Sequence, residues 1–157
     1  MKHRIHVAAA MLTLLFLATF WISTAVSELF LTASAVAQVK LAIAYALLGF
    51  VPVMMLTAAS GFMMGGKGRH PLLLAKRRRM PFIAANGLLI LVPAAVFLSL
   101  RAQAGLLDGV FYAVQALELA AGAANLALIG LNIRDGIRLG RLRRGASGRS
   151  AVSWGRP

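Results

Sequence analysis

The chain contains no cysteine. Structural disulfides, Cys-ligated zinc, iron–sulfur clusters and thiol nucleophiles are excluded with it. With no thiol pair to read, the redox compartment stays open. Acidic side chains are nearly as scarce: Glu28, Asp108, Glu118 and Asp135 are the only four in 157 residues. That is too few for a multi-carboxylate metal site or a paired-carboxylate hydrolase. Charged residues make up 13 % of the chain, about half the usual level of a soluble domain. An ordinary soluble globule and a charge-rich disordered chain are both excluded. A phosphate-binding loop, an HExxH helix and a GxSxG elbow are also missing. No histidine is expected beside a Ser or Asp at membrane depth.

What remains is apolar. The hydrophobic fraction is 60 % and the mean hydropathy is +0.80. Four long apolar stretches carry most of it, over residues 5–26, 41–60, 81–100 and 110–133. Each is about 20 residues long, enough for a helix to cross the hydrocarbon core. Lipid cannot satisfy an open sheet edge, and no stretch alternates with period two, so helices are expected and a β-barrel is not. The connections 27–40 and 101–109 are short and favour antiparallel neighbours. The expected fold is an all-α polytopic membrane protein, four transmembrane helices in an up-down-up-down bundle. Residues 1–142 form the membrane domain in this reading, and 143–157 a basic disordered tail. Pro52 and Pro93, near the middle of the second and third spans, read as isolated kinks.

Basic residues are distributed unevenly. Lys2 and Arg4 precede the first span, six more lie between spans two and three, and seven follow span four. Only Lys40 and Arg101 fall at the opposite side. This asymmetry puts both termini in the cytoplasm. Arg exceeds Lys, and Ala, Leu and Gly are abundant, which suits a GC-rich bacterial genome and a multi-pass protein of its inner membrane. Lys2-His3-Arg4 and Ala33-Ser34-Ala35 mimic the two ends of a signal peptide. The first apolar run exceeds the roughly 7–15 residues of a signal core, so a retained helix is expected. Lys76, Arg77, Arg78 and Arg79 follow three leucines and are read as contacts to anionic lipid headgroups. Beside a span, such a cluster serves topology, and no nucleic-acid partner is expected.

The candidate intramembrane polar site centres on the fourth span. Gln115, Glu118, Gly122, Asn125 and Asn132 fall within a sector of about 100° at helical spacing. A carboxylate deep in hydrocarbon is costly and must face inward. Asn86 of the third span completes the set. Two uses suit it: a proton, cation or quinone site, or interhelical hydrogen bonds that set register. The small residues around Gly122 let a neighbouring helix approach closely. Trp21 is expected at the outer membrane interface as an aromatic anchor. Glu28 and Lys40 flank the first connection and are placed to pair at the surface. The candidate axial ligands for a b-type haem are His6 and His70, with Met63 or Met64 as a substitute. The remaining methionines read as packing residues.

Three stretches carry a resemblance: Ala75-Lys76-Arg77-Arg78-Arg79-Met80-Pro81, residues 111–118 (FYAVQALE) and residues 131–136 (LNIRDG). They resemble a family of small bacterial four-helix inner-membrane proteins without assigned activity. The resemblance covers the chain to about Leu142 and implies topology and location only. Small multidrug transporters also have four spans and one membrane Glu. This chain departs from them in carrying its Glu in the fourth span and in its charge asymmetry. The first functional expectation is a non-enzymatic accessory or assembly subunit of a membrane complex, with another membrane protein or a second copy as partner. The alternatives are a proton-linked transporter using Glu118 and a membrane redox protein binding haem or quinone.

Overall fold

The computed structural model describes residues 2–64 and 71–153. All regular structure among them is helical: α1 (Lys2–Phe30), α2 (Ala33–Met64), α3 (Pro71–Asn86), a π-helical segment (Gly87–Leu91), α4 (Val92–Gln103) and α5 (Gly109–Ser153). α3, the π segment and α4 follow one another directly, so the described residues include four helices long and apolar enough to cross a membrane. α1 packs on α2 and α5, and the α3–α4 unit packs on the same two helices. Consecutive spans are therefore neighbours in a four-helix bundle, as expected. One end of it, here the basic end, gathers the start of α1, the end of α2, the start of α3 and residues 129–140 of α5. The other, the loop end, holds two tight turns.

Local chemistry makes both turns. Thr32 caps α2: its carbonyl accepts from the Val36 N–H at 3.0 Å and its hydroxyl from the Ala35 N–H at 3.4 Å. Gly105 adopts φ +72°, a left-handed backbone that a side chain would strain. Asp108 caps α5 by accepting the Phe111 N–H at 3.1 Å on Oδ1, while Arg101 donates to Oδ2.

Several expected boundaries move, and the connection placed at 101–109 shrinks to 104–108. The connection placed at 27–40 shrinks to Leu31 and Thr32, because Ser27, Glu28 and Lys40 belong to helices. At the other extreme α5 continues to Ser153, through the stretch expected to be a disordered tail. Once a span has nucleated a helix, each further residue adds a hydrogen bond without a new nucleus.

The π segment has a local cause. Pro93 lacks an N–H, and in a regular helix its ring presses on the carbonyl four residues back, that of Leu89. The wider turn relieves this, and the Val92 N–H bonds to Gly87 O, five residues back. Pro52 sits within α2 without such a segment.

The apolar core forms two clusters. The larger contains Leu17, Ile43, Leu47, Phe50, Met54, Leu91 and Ala95. Phe16, Phe20 and Phe50 stack beside it with ring centroids 5.6–6.0 Å apart. The smaller, at the loop end, contains Val36, Leu98, Ala102 and Phe111. Trp21 does not sit as a surface anchor. Its indole N–H donates to Leu119 O at 2.9 Å, and the ring lies where a Cβ on Gly122 would come within 2.9 Å of it. Gly122 thus opens α5 to a ring from α1.

Two outcomes follow from this packing. Gly122→Leu drives the side chain into a rigid indole and should cost about 1–3 kcal/mol, read as a lower melting temperature in detergent. Gly130→Ala meets nothing within 4 Å and should not lower it. At the loop end, the Asp108 carboxyl is held below its ordinary range by the Phe111 N–H first and by Arg101 next. Because its folded pKa is lowered, the cap is complete above about pH 4 and is lost as pH falls through the folded value. Amide exchange over residues 109–112, corrected for intrinsic rates, should stay flat down to that pH and accelerate below it. Asp108→Ala should accelerate it at every pH.

Candidate functional site

Between the two apolar clusters lies a polar layer. On α2, Lys40 stands between Val36 of the smaller cluster and Ile43 of the larger. Its side chain is 0 % exposed, and its Nζ lies 2.6 Å from Glu118 Oε2 on α5. The same ammonium donates a longer bond of 3.4 Å to Thr24 Oγ1 on α1. Gln115, one turn before Glu118, donates through Nε2 to the same carboxylate oxygen at 3.3 Å. Thr24, Ser27 and Gln115 are buried with it. Ser27 turns its hydroxyl to Thr24 O at 3.0 Å, so it satisfies itself within α1.

The expected surface pair of Glu28 and Lys40 does not form: no hydrogen bond joins them among the described residues, and Lys40 turns inward to Glu118. Glu28 still senses the charge of both Lys40 and Glu118, and its buried Oε1 has no hydrogen-bond partner among the described residues. Of the two carboxylates, Glu118 alone holds the Lys40 ammonium directly. A cavity of about 40 Å³, bordered by Trp21, Thr24 and Glu118, lies beside the layer. It has room for a water molecule or so.

The other candidates of the fourth span lie at different depths. Seven residues separate Glu118 from Asn125 and seven more separate Asn125 from Asn132, so each step is about 10 Å along the axis. Asn125 is 2 % exposed and faces Asn86. Asn86 Nδ2 lies 2.9 Å from both Asn125 Oδ1 and Ala121 O, and Asn125 Nδ2 donates to Ile83 O at 3.3 Å. The two amides tie α3 to α5 just before the π segment. Asn132 lies in the wall of a separate cavity at the basic end, together with His6. The face foreseen from the spacing is thus one stripe serving three levels, and Gln115 with Glu118 is the part that meets Lys40.

At the basic end, His6 is buried, and its Nδ1 lies 2.9 Å from Ser60 Oγ. The Ser60 hydroxyl itself donates to Leu56 O at 2.6 Å, so Nδ1–H is the donor in the His6 contact. That polarity does not activate a serine. His70, the other candidate haem ligand, lies outside the described residues. The four basic residues read as headgroup contacts divide. Arg77 and Arg78 are exposed. Arg79 donates to Asp135 Oδ2 at 2.7 Å, where Arg134 also approaches. Lys76 is half-buried and lines the basic-end cavity.

Sequence reasoning missed two members of these sites: Lys40 as the partner of Glu118, and Asp135 under Arg79. The signal for Lys40 was present, since a lone cation directly before an apolar stretch has to find a counter-charge if the helix already runs through it. No protein-family model, no curated protein and no solved structure matches the chain.

Removing one member of the pair strands the other. Glu118→Gln leaves a buried ammonium without counter-charge and should destabilise the bundle by about 3–5 kcal/mol. The double replacement Lys40→Met with Glu118→Leu removes both charges and keeps the volume, and should recover wild-type stability or exceed it. Thermal melts of the three proteins in one detergent check the order. A double variant as unstable as Glu118→Gln would show that the pair does not act as a unit.

Proposed function

We propose that the chain is a non-enzymatic integral membrane protein, an accessory or assembly subunit of a larger complex in a bacterial inner membrane, with both termini cytoplasmic. One observation carries this reading: the intramembrane carboxylate is spent on the fold. Glu118 lies 2.6 Å from an ammonium that is wholly out of contact with solvent, an arrangement suited to fixing helix positions. The other polar groups of the spans follow the same pattern. Asn86 and Asn125 bind α3 to α5, and Trp21 binds α1 to α5. Apart from Glu28, the acidic side chains each hold a basic partner. Such a frame presents a constant outer surface, and only about a fifth to a third of each span's most apolar stretch is buried inside it. The remainder meets lipid or another membrane protein. The orientation rests on the gathering of basic residues at one end of the bundle.

The test is association in native membranes. Extracted in a mild detergent, wild type and the Lys40→Met, Glu118→Leu double variant should both migrate with one integral-membrane partner at fixed stoichiometry. A wild-type chain that runs alone as a monomer would contradict an accessory role.

A second reading has its own observation. The buried Glu28 Oε1, without a hydrogen-bond partner among the described residues, the nearby Lys40–Glu118 pair and the adjoining small cavity are the parts a proton-linked carrier using Glu118 would need. In proteoliposomes with a trapped pH dye, that reading requires proton flux that the double variant abolishes. Equal flux with and without protein would remove it.

A further inference from the structure

The basic end contains a half-open cavity of about 430 Å³ lined by α1, α2, α3 and α5. Its size is that of small-molecule sites, about 300–1,000 Å³, and so is its make-up of apolar walls with a few polar groups. Met11, Met54, Met80, Ile83, Ile129 and Ile133 supply much of the wall. Methionines suit such a wall because their unbranched side chains adapt to the body they hold.

Two polar groups of this wall, Lys76 and Asn132, are placed to meet a ligand. Lys76 is half-buried and lines an apolar space. None of the chain's four acidic side chains neutralises it. Glu118 is held by Lys40, Asp135 by Arg79 and Asp108 by Arg101, and Glu28 lies in the loop-end group with Lys40. Its neighbours Arg77 and Arg78 are exposed, so Lys76 is set apart from the run of charge in which it occurs. The second group is Asn132, whose buried Oδ1 has no hydrogen-bond partner among the described residues. A half-buried ammonium beside an apolar space attracts an anion, and a buried amide oxygen needs a donor.

Position narrows the class further. Lys76 lies two residues after Leu74, where the third apolar helix begins, so it stands toward the basic end of the bundle. Asn132 is deeper. The salt bridge of Arg79 to Asp135 sets the register of α3 on α5, and in antiparallel helices Asn132 then lies past Arg79 toward the bundle centre while Lys76 lies before it. A molecule that satisfies both carries its negative charge at one end, a hydroxyl inside it, and an apolar chain beyond.

We infer that this cavity binds one single-chain anionic lipid bearing a free hydroxyl, of the monoacyl glycerophosphate class. The phosphate meets the Lys76 ammonium, the glycerol hydroxyl donates to Asn132 Oδ1, and the acyl chain lies between the helices against Met54, Ile83 and Ile129. A phosphate on Lys76 forms a charge-assisted hydrogen bond, the strong kind. The inference does not depend on the accessory role, since it rests on the residues that line this cavity and not on a partner.

The experiment is native mass spectrometry of the full chain released from detergent, titrated with three oleoyl probes. These are lysophosphatidate, with charge and hydroxyl; lysophosphatidylcholine, with hydroxyl and no net charge; and oleate, with charge and no hydroxyl. Saturation at one lysophosphatidate per chain is expected, with the other two at least about tenfold weaker, equal to about 1.4 kcal/mol. Lys76→Gln should weaken lysophosphatidate about tenfold and bring it level with lysophosphatidylcholine. Asn132→Leu should bring it level with oleate. Arg78→Gln, on the exposed side, should leave it unchanged. Ala58→Phe, which fills the cavity without touching either polar group, should remove the saturable step. Circular dichroism of each variant confirms that the bundle is intact. The inference is overturned if the three probes bind alike, or if Arg78→Gln weakens binding as much as Lys76→Gln. The latter would mean general attraction of anionic lipid to a basic surface. Inorganic phosphate competing as well as lysophosphatidate would also overturn it, since the acyl chain would then contribute nothing.

Discussion

A lysine ammonium and a glutamate carboxylate are each expensive in hydrocarbon, and each becomes tolerable only beside the other. In this bundle the two come from helices that are far apart in sequence, α2 and α5. Meeting that requirement sets the rotation of both helices about their axes and their relative height. The rest of the loop-end architecture agrees with the setting. Val36 on the turn before Lys40 reaches Leu98 and Phe111, and Ile43 on the turn after it reaches the larger cluster. The pair lies at the seam between two apolar cores and decides which residues of α2 face which core.

The same economy governs the remaining polar groups. Amides of Asn86 and Asn125 meet each other and two backbone carbonyls. The indole of Trp21 uses a carbonyl of α5, and a missing side chain at Gly122 makes room for the ring. Pro93 disturbs one turn, and the π segment takes up the disturbance next to the Asn86 tie. Where the accounting does not close, the leftover groups mark places of interest. Glu28 Oε1 and Gln115 Oε1 are left over near the Lys40–Glu118 pair. Asn132 Oδ1 is left over at the basic end, in the wall of the large cavity that Lys76 also lines.

Much of the fold was legible in the sequence because four runs of about 20 apolar residues admit few alternatives in lipid. The inward face of α5 was legible for a related reason: helical spacing puts Gln115, Glu118, Asn125 and Asn132 on one sector. What escaped was whatever depends on contacts between distant residues. Lys40 was read as the edge of a span because isolated charges usually mark the edge. A buried counter-charge cancels that rule, and the counter-charge lies on another helix. Trp21 was read as an interfacial anchor for a similar reason, since only the gap at Gly122 gives its N–H a partner inside the bundle. The division of the α5 stripe into three levels needed the partner helices as well. So did the isolation of Lys76, which in the sequence is one of four adjacent cations.

The central claim is that Lys40 and Glu118 form a charged pair inside the membrane-embedded bundle. Solid-state NMR on the full chain in lipid bilayers, with lysine nitrogen and glutamate carboxyl carbon labelled, tests it without altering a residue. The account predicts one through-space cross-peak between a side-chain ammonium and a carboxylate, lost in Lys40→Met and insensitive to paramagnetic ions in the water. A cross-peak quenched by those ions, or none at all, would place Lys40 at the surface and contradict the account.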